Sequence, residues 1–311
     1  MKIIEKGLAT TIQDLGRFSY RSLGFPTSGP MDSFAMKIAN FLVGNHENAA
    51  VLEMCQIGVT VEFLHDTVIA CTGAPMDIYL NNQKIELYRP IQVKKGDSLR
   101  CLSCKAGMYT YLACKYGIAY PTILKSRSSL PRIKDVRNTI TENCELPIQA
   151  YTHKGMFNWK IDKKLFDYMT SKYITIRYIE GIQSDWFASS LENHTWKITS
   201  QSNRMGYRLN GPPIRLKNEK QLFSEPVQFG AIQVPPNGQP IVIMADGQPT
   251  GGYPKIGQVI QADLAKLAQA TIFTSITFQK VSIEYALETW KHTHHDLLQL
   301  KYVLLEKWRE F

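Results

Sequence analysis

Three short apolar runs set between glycine- and proline-bearing turns fill residues 224–269, and they restrict what this chain can fold into. At the centre stands A-D-G-Q-P-T-G-G-Y-P-K-I-G, Ala245 to Gly257. Glycine and proline at this density exclude a regular helix or a central strand, so the reading here is a loop. Gly251-Gly252 lacks two Cβ atoms, which lets backbone N–H groups come close to a bound anion or carbonyl. Asp246, Gln248, Thr250, Tyr253 and Lys255 place side-chain donors and acceptors beside that backbone. A surface hairpin decorated with polar groups accounts for the same pattern.

The rest of the chain is mainly β, with a few short helices. Val59–Phe63, Thr67–Ala70, Met76–Leu80 and Thr110–Ala113 are β-rich runs between turn signals such as Asn81-Asn82 and Lys95-Gly96-Asp97. Strands at this spacing predict an antiparallel barrel or sandwich. Met31–Val43 reads as a helix: Asp32 or Ser33 offers the N-cap, Phe34, Ile38, Phe41 and Leu42 form one stripe, and Gly44-Asn45 closes it. Within it, A-M-K-I at Lys37 resembles the A-M-K-M of biotin carriers, but a biotinyl lysine needs an exposed hairpin tip, so no biotin is expected on this chain. Residues 121–170 are irregular and basic, with a helical turn near Lys164–Met169, and read as the link between halves. Strand signals return at Tyr173–Tyr178 and Thr195–Ile198, with a short helix expected over Gly181–Leu191. After Phe278 the stripe Ile283, Leu287, Trp290, Leu297, Leu300, Val303, Leu304 and Trp308 predicts a helix. His292 and His295 share one of its faces without the acidic or cysteine partners of a metal site. Leu52-Glu53 and Ser224-Glu225 head two similar stretches, each preceded by a Gly-Pro turn, as two pseudo-repeated β units would require.

At 311 residues with a 44% hydrophobic and 20% charged share, the chain has the composition of a soluble globular protein of two domains or one large one. No apolar run reaches the roughly 20 residues of a membrane span. Residues 1–7 lack an apolar signal region, so a cytoplasmic location is the expectation. The net charge of +9 is scattered rather than clustered with aromatics, which argues for anionic small substrates or an acidic partner and against nucleic acid. Of the six cysteines, Cys101 and Cys104 form a C-x-x-C whose members face opposite sides of a strand. Reduced structural cysteines are the reading, and no metal is expected.

A family resemblance runs through residues 5–280. Asp14-Leu-Gly-Arg17, Ser28-Gly-Pro-Met-Asp32, Ala39–Asn45, Leu52-Glu53, Thr72-Gly-Ala74, Ser126-Arg-Ser128, Ser202–Leu209, Gly230–Pro236 and the 245–257 stretch together resemble the allophanate hydrolase subunit 2 (KipA-like) family. Members are similar to the C subunit of bacterial ATP-dependent 5-oxoprolinase and to half of the carboxyltransferase domain of urea carboxylase. The resemblance implies two cyclophilin-like β-barrel units, assigned to residues 1–165 and 166–282, with a C-terminal helix over 283–311. It implies a KipI-like B subunit that completes the site, a further A subunit, and ATP held by or with those partners. The implied activity is hydrolysis of a cyclic amide, 5-oxo-L-proline, to L-glutamate with ATP cleavage. Two alternatives stay open: a biotin-dependent carboxyltransferase or allophanate-type component, and a non-catalytic regulator that binds a KipI-like kinase inhibitor. The chain departs from the family twice. Leu130–Cys144 lacks the glycine-rich segment usual there, and Gly247 replaces an arginine.

Under either chemistry the catalytic candidates are Asp246, Lys255, Tyr253 and Asp32. Lys255 and Arg204 would hold anionic groups, Asp246 or Asp32 would act as base or orienter, and Gly251-Gly252 would donate to an oxyanion. Tyr253 and Tyr207 form walls, Gln233 and Asn203 read an amide, and Thr250 adds a hydroxyl. Asp14, Arg17 and Ser28 occupy turns where binding groups often sit, though they also suit capping of those turns. An Arg204–Asp246 salt bridge pinning two turns is the structural alternative for that pair.

Overall fold

The computed structural model describes residues 1–130, 140–152, 155, 157–218 and 220–309. Two compact units emerge, one from Met1–Arg17, Ser28–Thr170 and Leu297–Phe311, the other from Phe18–Thr27 and Ser171–Asp296. The division falls five residues beyond the expected 165, gives residues 18–27 to the second unit, and splits the last helix between the two.

The first unit contains, among the described residues, β1 (Lys2–Glu5), β2 (Ala9–Gln13), α1 (Ser33–Leu42), β3 (Val51–Cys55), β4 (Thr60–Glu62), β5 (Thr67–Gly73), β6 (Met76–Leu80), β7 (Gln83–Ile85), β8 (Ile91–Val93), β9 (Ser98–Cys104) and β10 (Tyr109–Cys114), with a short 3-10 helix at Lys163–Met169. They form two five-stranded sheets, in the orders β1-β4-β9-β6-β7 and β2-β3-β10-β5-β8. One core lies between the sheets, fed by Ile3, Val61, Ile78, Leu99 and Cys101 from the first and Ile12, Leu52, Ile69, Cys71 and Leu112 from the second. Every residue of β5 and β10 is buried. Alternation explains this, because residues 69, 71 and 112 face the core while residues 70, 72 and 111 face the helix side. There Thr72 donates its hydroxyl to Ala35 O at 2.6 Å.

Helix α1 begins where the sequence places it. Asp32 Oδ1 accepts from Ala35 N at 2.9 Å, and Gly44 beyond the other end has φ +65°. Lys37 lies inside it, paired with Glu47 at 3.2 Å. All six cysteines are free. Burial pushes the Cys114 thiol up to about 12 and raises Cys104, while Cys71 is raised first by its bond with Cys101 and then by burial, as suits inert core thiols.

The second unit is a closed barrel of seven strands: β11 (Tyr173–Glu180), β12 (Trp196–Ile198), β13 (Gly206–Asn210), then, after the short β14 (Glu225–Pro226), β15 (Ala231–Gln233), β16 (Ile241–Ile243), and, after β17 (Thr250–Gly251), β18 (Lys255–Val259) and β19 (Ser275–Lys280). Their order around the barrel is β11-β18-β15-β16-β13-β12-β19. Closure comes from a parallel pairing of β11 with β19, running from Tyr173↔Ser275 to Tyr178↔Lys280. Trp196, completely buried, fills the interior beside Ile176 and Ile276. Helix α2 (Leu264–Ala268) is tied to β11 by Arg177, whose guanidinium donates to both oxygens of buried Asp263 at 2.6 and 3.0 Å. The helix expected over 181–191 is only a turn at Ser184–Trp186, because Gln183 there is buried and committed to hydrogen bonds described below. Helix α3 (Ile283–Arg309) ends with Trp308 donating its indole N–H to Leu42 O at 3.1 Å and lying 3.9 Å from Lys115 Nζ. Among the described residues no helix is long and apolar enough to cross a membrane.

Leu112→Ala, in the shared core, is expected to lower the stability of the first unit by about 3 kcal/mol. Leu287→Ala, on an exposed part of α3, is expected to stay within about 0.5 kcal/mol. Urea unfolding followed by tryptophan fluorescence distinguishes the two.

Candidate functional site

The 245–257 stretch is less of a loop than its composition predicts. Thr250-Gly251 forms β17 and pairs with Glu225-Pro226 of β14 (Glu225↔Gly251, Pro226↔Thr250). Lys255-Ile256-Gly257 opens β18, which pairs with β15 and β11, so the loop reading is corrected for these residues. Close packing of β18 on the end of β11 uses two glycines. A Cβ on Gly181 would stand 2.3 Å from Lys255 O, and one on Gly257 would stand 2.5 Å from the Tyr178 ring. Bare backbone at both positions allows the approach.

This register brings Lys255 against Glu225, with Nζ 2.6 Å from Oε2 and 3.3 Å from Pro226 O. The carboxylate also accepts from Gln183 Nε2 at 3.2 Å, while Gln183 Oε1 accepts the Lys255 backbone N–H at 3.1 Å. Glu225 is thereby held below the ordinary carboxylate range, chiefly by the hydrogen bond from Lys255. Gln233, buried in β15, donates to Tyr253 O at 3.1 Å, and a Cβ on Gly251 would lie 2.9 Å from its amide nitrogen. Arg21, from the 18–27 segment, donates to Val227 O and Pro249 O and clamps the two chain ends around β14 and β17. Lys255, Thr250, Gly251, Gly252, Tyr253 and Gln233 are thus gathered at one end of the barrel. Tyr253 is 44% exposed beside Lys255, whose side chain is 15% exposed. Two of the three ammonium protons are accounted for by Glu225 Oε2 and Pro226 O.

The other candidates of the second unit form a separate cluster. Arg204 donates through Nε to Asp246 Oδ2 at 2.8 Å and through Nη2 to Oδ1 at 3.0 Å, and Asp246 N donates to Arg204 O at 2.8 Å. Side-chain exposures of 15% and 6% make this a nearly buried bidentate pair joining two turns. Asn203 Oδ1 accepts from Met205 N at 2.8 Å and shapes its own turn. Tyr207 is buried and donates its hydroxyl to Ala268 O at 2.7 Å, so it works inside the barrel packing and not as a wall of an open site. Gly247, the position lacking the family's arginine, is packed tightly: a Cβ there would meet Ile243 Cγ2 at 2.2 Å.

Asp14, Arg17, Ser28 and Asp32 belong to the first unit and are buried there. Asp14 Oδ1 accepts from Ser126 Oγ at 2.5 Å and Ser128 Oγ at 2.7 Å, and its Oδ2 accepts from Arg127 N at 2.6 Å. Arg17 donates to Ser28 Oγ at 3.0 Å and to Ser128 O. Asp32, expected as a base, caps α1, accepts Tyr168 OH at 2.7 Å, and is fully enclosed. Burial and the Asp32 charge raise the Tyr168 phenol well above its usual range. These four residues hold turns in place. The altered segment at Leu130–Cys144 lies largely outside the described residues, which omit 131–139.

Sequence reasoning missed Gln183, Arg21 and the role of Glu225. For Glu225 a signal existed in the repeated Leu52-Glu53 and Ser224-Glu225 steps, since Glu53 is also an anchor, accepting Tyr111 OH and Met31 N at 2.8 Å.

A family model described as carboxyltransferase domain, subdomain A and B, matches residues 23–280. The C subunit of the Haemophilus influenzae 5-oxoprolinase is 34% identical over 310 residues, covering 98% of this chain and 99% of that protein. The Escherichia coli protein of the same name is 35% identical over 295 residues, covering 93% of each. Among solved structures, K. lactis urea amidolyase superposes with a TM-score of 0.87 at 27% identity, over 96% of this chain and 20% of that one.

Two outcomes test the clusters. Asp246→Ala removes the carboxylate that faces a nearly buried guanidinium and is expected to cost about 3–5 kcal/mol, read by denaturant unfolding. Because the folded state depresses Glu225, its contribution to stability is complete above the unfolded value of about 4.3 and is lost as pH falls through the lower folded value. Glu225→Gln is expected to flatten that acid limb in thermal melts collected across the range.

Proposed function

The chain belongs to the family of carboxyltransferase domains, subdomain A and B, and on that premise we propose that it is the C-type subunit of an ATP-dependent 5-oxoprolinase. The observation that carries this reading is the end-to-end match to two 5-oxoprolinase C subunits, at 34% and 35% identity. The proposed reaction opens the ring amide of 5-oxo-L-proline to L-glutamate while ATP is cleaved to ADP and phosphate. A KipI-like B subunit completes the site, and an A subunit is required.

In this reading ATP supplies the phosphoryl group that makes the amide carbonyl electrophilic. The chain contains no G-x-x-x-x-G-K-[ST] loop, so the nucleotide pocket is assigned to the partners, with Lys255 as this chain's contact to an anionic oxygen. Glu225 and Gln183 fix the ammonium and its strand, so its charge is aimed before substrate arrives. Backbone at Gly251-Gly252 and the Tyr253 hydroxyl stand beside it as further donors for a developing oxyanion. Gln233 holds the Tyr253 carbonyl and thereby sets the turn that presents them. Arg204 and Asp246 join the turn before β13 to the turn after β16, apart from the Lys255 cluster.

A second reading, as a carboxyl-transfer component, is favoured by the superposition on K. lactis urea amidolyase, of which this chain spans a fifth. Both chemistries need a charged group and backbone donors at a developing oxyanion, so the site does not choose between them.

The deciding experiment combines this chain with candidate A and B subunits and follows glutamate release dependent on 5-oxoproline and ATP. Release is expected, and Lys255→Ala is expected to reduce kcat at least about 100-fold without unfolding the chain, as read by circular dichroism. Complete complexes that bind this chain yet release no glutamate sink the oxoprolinase reading and leave a regulator; biotin-dependent carboxylation by them selects the second.

A further inference from the structure

The first half of α3 carries an exposed apolar stripe. Ile283, Leu287 and Trp290 are 67%, 49% and 41% exposed, and His294 stacks on Trp290 with ring centroids 5.1 Å apart at 8°. Their spacing of four, three and four residues is that of a two-helix seam. The same spacing continues through Leu297, Leu304 and Trp308, but Leu297 and Leu304 are buried in the first unit and Trp308 is bonded to α1. Only the stretch 283–294 is therefore open to a partner helix.

We propose that this stripe pairs with the same stripe of a second copy, antiparallel, about a two-fold axis between Glu288 and Thr289. The flanks support that occupant. An antiparallel seam that sets Leu287 against Trp290 of the second copy also sets Ile283 against His294. The positions flanking it on one side are then Glu284 and Lys291, both exposed, and the two-fold places each carboxylate opposite an ammonium, twice. On the other flank Ala286 faces Thr293, two small side chains that allow close approach. A parallel arrangement would put Ala286 opposite Lys291 and form no ion pair, so the charge pattern selects the antiparallel one. Glu284 is held below the usual carboxylate range by its own backbone N–H and Ser282 at the start of the helix, and stays exposed. Glu288 is exposed one position beyond Leu287, and His292 and Asp296 are 3.6 Å apart on another face. Four seam residues per helix fall short of the roughly 1,200 Å² of a stable interface, so the pairing is expected to be weak, on the order of micromolar.

Sedimentation velocity of the full chain between about 1 and 100 μM is expected to show a monomer–dimer equilibrium. Leu287→Glu is expected to leave a monomer throughout, with an unchanged thermal midpoint because the site is exposed. Glu284→Lys and Lys291→Glu are each expected to weaken the dimer severalfold, and the double variant to restore it. A monomer at every concentration overturns the proposal, as does a dimer indifferent to Leu287→Glu. Failure of the charge swap to rescue also overturns it, since only self-pairing in this direction predicts rescue. A monomer that captures a different protein of the complex through the same stripe overturns it in favour of that protein.

Discussion

Closure of the second unit on a parallel pairing of its first and last strands is the constraint from which the candidate site follows. Six consecutive residues of β11 meet six of β19, and this leaves the opposite edge of β11 for β18. Because β11 is held on both sides, β18 has one available register, and that register sets where Lys255 begins the strand. The two glycines at the β11–β18 crossing make the approach sterically possible. Lys255 therefore reaches Glu225 as a product of barrel closure, and Gln183 bonds the Lys255 backbone from the turn just past β11. The charged group is positioned by the fold's most rigid part rather than by its own loop, an arrangement that suits a site needing fixed electrostatics.

The two units spend polar residues differently. In the first, Asp14, Arg17, Ser28 and Asp32 are enclosed and held by bonds with Ser126, Ser128, Arg127 and Tyr168 and between Arg17 and Ser28. In the second, the Lys255 ammonium is paired with Glu225 at a side-chain exposure of 15%, and Tyr253 is 44% exposed. Motif residues of similar appearance in sequence thus divide into those that hold turns and those that present a surface. Arg204–Asp246 is nearly buried and bidentate, and it pins the turn before β13 to the turn after β16.

Local signals were legible and distant ones were not. The Asp32 cap, the Gly44 terminus and the β-rich runs of β5, β6 and β10 are short-range patterns, and the structure carries them as read. The mainly β architecture followed from strand spacing, and its family from motif order. The loop reading of Lys255–Gly257 failed because glycine and proline density reports turn chemistry, whereas β18 is set by pairing with β11, some 75 residues away in sequence. The helix expected over 181–191 failed for a related reason, since Gln183 satisfies groups on β14 and β18 that no local pattern announces. Glu225 and Lys255 are separated by 30 residues, and only the repeat of a Glu step hinted that the acid was an anchor.

The path of the chain between the units has a consequence for its synthesis. Residues 18–27 leave the first unit for the second, and Leu297 onward return to the first. A ribosome therefore releases the whole β-sandwich before Trp308 exists to close over Leu42 and Lys115, and it releases Arg21 long before Val227 and Pro249 are there to receive it. Neither unit can be completed by the contiguous piece of chain that supplies most of it. The first unit gains its last segment only after the second has been translated, and a single proteolytic cut near Thr170 leaves residues 18–27 and those from Leu297 onward on the piece that does not supply the rest of their unit.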